Sequence, residues 1–170
     1  MKKWLCMFVC CLSVYVQAQV WTLKEKEPAA PGTWWCFRNT VTLEELPRSL
    51  ELRLAADTKY WLWVNGELQV SEGGLKRGPN PSDTYCDVIT SLPALRAGEN
   101  TVALLVWYFG KDGFSHRNSP TAGISFSLSC DGKEVEPDAK WLVKKHPAYY
   151  GRRVNSPTIV WQSQTSGSMQ

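Results

Sequence analysis

Short apolar runs broken by Gly, Pro, Asn and Asp recur along the whole chain, and no stretch sustains the 3.6-residue period of a helix. Leu50, Leu52 and Leu54 alternate with Glu51, Arg53 and Ala55, while Ile124, Phe126 and Leu128 alternate with Ser125, Ser127 and Ser129. A two-residue period of this kind marks strands with one face on a core and the other towards water. Residues 36–43 (CFRNTVTL) read as a strand before them. Residues 60–64 (YWLWV) are apolar on both faces, with Tyr60, Leu62 and Val64 on one side and Trp61 and Trp63 on the other, so this strand needs cover on both sides. The unbroken TVALLVWYF at 101–109 reads as a central strand. Residues 85–89 resume a strand, and 140–145 (KWLVKK) read as a last, edge strand whose charged ends discourage further pairing.

Asn65-Gly66 and Asp131-Gly132 are hairpin signals, because a two-residue type I′ turn needs positive φ at both central positions. They return the chain into strands through Leu68 and Val70, and through Glu134 and Val135. Residues 71–82 hold Gly73, Gly74, Gly78, Pro79 and Pro81 and read as a loop, and 91–97 as a segment with a helical turn. Together these elements predict an all-β fold, an antiparallel β-sandwich.

The first residues, MKKWLCMFVCCLSVYVQAQ, place two lysines before an uncharged apolar run and end it at Val16-Gln17-Ala18. This reads as a signal peptide over 1–18 cleaved after Ala18. Its run of about 13 apolar residues falls short of the ~20 that span a bilayer. No small residue precedes Cys6, Cys10 or Cys11, which argues against a lipid anchor. The protein is therefore expected to be exported, to the periplasm or outside the cell, without a membrane anchor. Residues 19–150 form the expected sandwich. Residues 151–170 read as the start of a linker or next domain, cut short, since the apolar run Ile159-Val160-Trp161 dissolves into polar sequence.

With Lys2 and Lys3 removed in the leader, 17 basic residues face 16 acidic ones, and nothing in this balance asks for nucleic acid or a charged membrane surface. Cys36, Cys86 and Cys130 remain after the leader, an odd number compatible with one disulfide and a leftover thiol or with three free thiols. The nine tryptophans point either to thick sheet packing or to stacking platforms for sugar rings.

Chemistry is harder to find. Hydrolysis needs two positioned acid/base groups, yet Glu44-Glu45 sits in a turn before Pro47, and Asp83, Asp87 and Asp112 lie in or beside loops, where such side chains cap turns. His116 and His146 are far apart, the cysteines are single, and no metal-ligand spacing occurs, so neither a metal nor another cofactor is expected. Ser115-His116 is an adjacency rather than a triad, and Gly73-Gly74 opens no helix that could cradle a phosphate. No catalytic residue is assigned. What remains is aromatic surface: Trp61 and Trp63 share a strand face, and Trp107 and Tyr108 end the central strand beside a polar loop. These four are the candidate carbohydrate-binding residues, an indole face being able to stack on a pyranose. The competing reading has them filling space between the sheets or against a neighbouring domain.

Five stretches carry a family resemblance: FRNTVTL from Phe37, LRLAADTKYWLWVNGEL from Leu52, RGPNPSDTYCDVITSL from Arg77, GENTVALLVWYFG from Gly98 and KWLVKKHPAYY from Lys140. In this order they resemble the N-terminal β-sandwich of bacterial α-L-rhamnosidases, a jelly-roll of galactose-binding-like type. The VNGE hairpin and GENT turn also look like the front domain of β-galactosidase-type glycosidases, whereas the RGP stretch and the WYFG ending favour rhamnosidases. The resemblance implies a non-catalytic accessory domain of a secreted glycoside hydrolase. In that family an (α/α)₆ barrel follows and removes terminal α-L-rhamnose with inversion, using acidic residues of the barrel, none of which lies in this sequence. The implied partners are that downstream catalytic domain and rhamnose-containing glycans. No acidic cluster here matches the calcium-assisted rhamnose-binding sandwich of some relatives. A free-standing secreted carbohydrate-binding module, or the first domain of a β-galactosidase-type enzyme, are the alternatives.

Overall fold

A computed structural model of the chain describes residues 29–75, 85–113, 117–118 and 122–149. The expected leader at 1–18 and the segment 151–170 lie outside the described residues. Among the described residues nine strands follow in chain order: β1 (Thr33–Leu43), β2 (Leu50–Asp57), β3 (Lys59–Val64), β4 (Glu67–Gly74), β5 (Asp87–Ile89), β6 (Gly98–Tyr108), β7 (Gly123–Cys130), β8 (Lys133–Val135) and β9 (Leu142–Lys145). They form two sheets, one of five strands in the order β4-β3-β6-β1-β9 and one of four in the order β5-β2-β7-β8. Every pairing is antiparallel. The described residues contain no helix, and the expected turn within 91–97 is a single hydrogen-bonded one, from Leu95 N–H to the Leu92 carbonyl.

Strict alternation makes the core. Trp35, Phe37, Val41 and Leu43 of β1 are buried, as are Leu104, Val106 and Tyr108 of β6. They meet Leu52 and Leu54 of β2 and Ile124 and Leu128 of β7 from the other sheet. Each large side chain so buried is worth about 1.5–3 kcal/mol against leaving it in water. Strand β6 begins earlier than its apolar run, because Gly98 and Glu99 pair with Leu43 and Thr42 at the end of β1.

Among the described residues, Asn118 Oδ1 is a buried side-chain polar atom without a hydrogen-bond partner, whereas the buried amide of Asn100 is fully used. Asn100, fully buried, donates to the carbonyls of Arg96 and Gly98 and accepts from Arg96 N–H and from the Asn65 amide. Asn65 in turn accepts from Thr101 N–H, tying the β3–β4 turn to the start of β6. Both Asx-Gly turns have the left-handed backbone expected of them, with φ of 51° and 85° at Asn65 and Gly66 and of 50° and 76° at Asp131 and Gly132. The Asp131 carboxylate accepts from the N–H groups of Ser49 and Arg48, which hold its pKa below the ordinary carboxylate range.

Strand β4 reaches further than the glycines suggest, to Gly74. The reason is close approach: a Cβ on Gly73 would stand 2.3 Å from the Tyr60 ring. Tyr60 points into the core, and its hydroxyl donates to Asp87 Oδ2 at 2.9 Å, which also accepts from Gly74 N–H at 2.8 Å. Asp87 lies on β5, so this contact joins the two sheets. Burial foremost, then the Asp87 charge and hydrogen bond, push the phenol far above its usual value.

Candidate functional site on the outward face of the larger sheet

The strand period that sends Tyr60, Leu62 and Val64 inward sends Trp61 and Trp63 out, and register decides their neighbours. Trp34 of β1 pairs with Trp107 of β6, and Cys36 with Leu105. On the other side of β6, Trp61 pairs with Leu105 and Trp63 with Ala103, while Leu68 of β4 pairs with Trp63. These side chains therefore share one contiguous apolar surface. Trp34 stacks on Trp107 with ring centroids 4.9 Å apart and planes 9° apart, and on Trp61 at 5.4 Å and 27°. Phe109 meets the Trp107 ring edge-on at 4.6 Å.

Beyond β9 the chain turns back over this surface. His146 N–H donates to the Trp34 carbonyl at 2.8 Å, and Tyr149 lies 4.8 Å from the Trp34 ring and 4.6 Å from the His146 ring. Ala148 N–H donates to His146 Nδ1, which fixes this turn.

Two of the four candidate residues, Trp61 and Trp107, come together here. Trp34, which sequence reading passed over, sits between them. Extending the alternation of the first strand back by two residues from Cys36 would have found it. Trp63 lies on the same face one row along, without a ring partner among the described residues. Tyr108 does not belong to the surface. Its neighbour Trp107 points out, so Tyr108 points in, only 3% exposed, with its hydroxyl accepting from the Asn118 amide at 3.4 Å. The pleat excludes the pair from sharing a face.

The mutual stacking limits what the cluster can do. Rings 4.9 Å apart and nearly parallel close each other's faces, so the faces that Trp34 and Trp107 turn to one another cannot receive a pyranose. Trp63 retains its ring for a ligand. A groove of about 370 Å³ opens further along this face, lined by Arg38, Thr40, Glu99, Thr101, Lys140 and Leu142 among others, within the size range of small-molecule sites.

Cys36, Cys86 and Cys130 are free thiols, which decides between the two cysteine readings. Partial burial raises the Cys36 thiol above its usual pKa, with Lys144 across the strand pair opposing the effect. Several carboxylates serve local structure: Asp138 accepts from Thr42, Asp112 pairs with Arg117, and Glu51 pairs with Arg53. Among the described residues, no group of three or more His, Cys, Asp or Glu could hold a metal ion. Asp83 and His116 fall outside the described residues.

No protein-family model and no curated protein matches the chain. Solved structures do. A GH78 family rhamnosidase of Bacillus sp. GL1 aligns at 28% identity and a TM-score of 0.65, over 74% of this chain and 13% of that enzyme. The Streptomyces avermitilis α-L-rhamnosidase, solved with L-rhamnose, aligns at 24% identity and a TM-score of 0.52, over 74% of this chain and 12% of that one. The α-L-rhamnosidase of Aspergillus terreus aligns at 19% identity and a TM-score of 0.55, over 72% of this chain and 16% of that one. The last two speak for the fold alone. The sandwich is thus similar to one domain of GH78 α-L-rhamnosidases and spans a small part of their length.

Proposed function

We propose that this chain is the non-catalytic accessory sandwich of a secreted glycoside hydrolase of α-L-rhamnosidase type, whose catalytic part removes terminal α-L-rhamnose from glycans. One observation carries the reading: the sandwich aligns along 74% of the chain, at 28% identity, with 13% of a GH78 enzyme. A match to so small a share of an enzyme is in keeping with an accessory role, and inverting hydrolysis needs an acid and a base roughly 6.5–9.5 Å apart across a sugar pocket. Asp87, Asp131 and Asp138 instead brace strands and turns.

The test is direct. The purified chain is expected to fold as a β-sandwich and to release no rhamnose from an aryl α-L-rhamnoside. Release that survives rigorous purification and vanishes when one carboxylate of this chain is replaced would overturn the non-catalytic role. Reading the coding sequence downstream tests the enzyme assignment, which a stop after Gln170 with no barrel following would sink.

Trp63 favours a second reading, a secreted module that itself binds sugar. Its ring has no ring partner among the described residues, Ala103 beside it is small, and the Arg38 groove opens on the same face. Calorimetry with rhamnose-containing glycans should then show saturable binding, weakened at least tenfold, about 1.4 kcal/mol, in Trp63→Ala. No binding by the unmodified chain rejects it.

A further inference from the structure

Independently of the enzyme assignment, the outward aromatic surface poses its own question. Trp34, Trp61, Trp63 and Trp107 are only half-buried, and the flanking Leu68 and Leu142 are 51% and 60% exposed. A surface of this breadth and composition marks a place where something packs. The chain itself indicates what. After β9, residues 146–149 leave the sheet edge, cross over Trp34 and set Tyr149 on its ring.

The chain that follows starts from that point. Residues 150–170 contain one apolar run, Ile159-Val160-Trp161, set in polar sequence. Ile159 lies ten residues on from Tyr149, a reach of about 33–36 Å when extended. Crossing from β1 to β4 takes three strand spacings, roughly 14 Å. Tethering places such a run at an effective concentration in the millimolar range, which makes even a weak aromatic contact populated.

We infer that the apolar face formed by Trp34, Trp61, Trp107, Leu105 and Cys36 is the docking surface for this chain's own residues 150–170, anchored by Ile159, Val160 and Trp161. A segment covering that face also covers Cys36, which stands in the row of Trp61 and Leu105. Cys130, at the end of β7 in the other sheet, is partly buried against the core, away from that face, and serves as the internal reference.

The experiment measures alkylation rates by iodoacetamide in the full chain, read peptide by peptide by mass spectrometry, for the unmodified protein and for Trp161→Ala and Ile159→Asp. Alkylation of Cys36 should be at least tenfold faster in both variants, with Cys130 unchanged. Equal Cys36 rates in all three proteins would overturn the inference. So would a protection of Cys36 that disappears on dilution together with a dimer mass, which assigns the face to a second copy. Protection that arises only on adding a rhamnose-containing glycan assigns it to sugar and overturns the inference as well. A parallel rise at Cys130 would report loosening of the whole sandwich and count against it equally.

Discussion

The outward faces of the two sheets differ in kind, although the inward faces are built alike. On the larger sheet the outward residues at one end are Trp34, Trp61, Trp63, Ala103, Leu105 and Trp107, giving way to Arg38, Thr40, Glu99 and Thr101 at the other. On the smaller one, Glu51 pairs with Ser129 and Arg53 with Ser127, and Glu51 and Arg53 form a surface ion pair at 2.6 Å, while the Ala55–Ser125 pair further along is buried. An antiparallel sheet that faces water on one side alternates apolar with polar, as β2 and β7 do. Residues 60–64 of β3 and 102–108 of β6 are apolar on both faces, the pattern of a layer meant to be covered twice. The difference teaches that amphipathic strands finish the domain on one side, while the other side is prepared for a further layer.

The largest expected effect belongs to the layer both sheets share. Trp35→Ala should destabilise the protein by about 3–5 kcal/mol in urea unfolding, since it empties a core position only 2% exposed. Any value near that for an outward tryptophan would erase the distinction between the faces. Trp34→Ala is expected to cost about 2 kcal/mol, because it removes three aromatic contacts worth roughly 0.5–1.5 kcal/mol each, which share surface and do not add. A loss below about 0.5 kcal/mol would show that the cluster is ornamental to folding.

The contact between the sheets can be separated from both faces by pH. Burial and Asp87 raise the folded-state pKa of Tyr60, so the folded state keeps a proton that the unfolded chain releases. Its stabilising contribution is complete below about pH 10 and declines above it, by roughly 1.4 kcal/mol per pH unit. Tyr60→Phe should lack this alkaline decline when unfolding is followed from pH 9 to 11, and an unchanged slope would refute the argument. The smallest effect is expected on the polar face, where Ser127→Ala should stay within about 0.5 kcal/mol by the same urea titration.

Much of this was legible in the sequence. Period-two alternation located the strands because a pleated sheet imposes it, and Asn65-Gly66 and Asp131-Gly132 announced their turns because few other pairs accept that backbone. Where reading fell short, the missing information lay between strands rather than along them. Gly73 and Gly74 look like loop residues until the ring of Tyr60 is seen to occupy the space of a side chain. Trp107 and Tyr108 look like one aromatic patch until the pleat sends them to opposite sides. That Trp34 stacks on Trp61 across an intervening strand depends on the order β3-β6-β1, which no local pattern specifies.

The pairing of β1 with β9 also settles how this domain can be handled as a part. Trp35 lies opposite Lys145, and His146 N–H reaches the Trp34 carbonyl, so the backbone comes into and leaves the sandwich on adjacent antiparallel strands at the same end of one sheet. Neighbouring antiparallel Cα atoms stand only about 4.5–5.5 Å apart. Viewed as a module, the fold is a closed ring with one narrow gap: it can be grafted into a surface loop of an unrelated protein without stretching its host. It can equally be circularised by a short bridge and reopened at Asn65-Gly66, where the hairpin turn offers new ends.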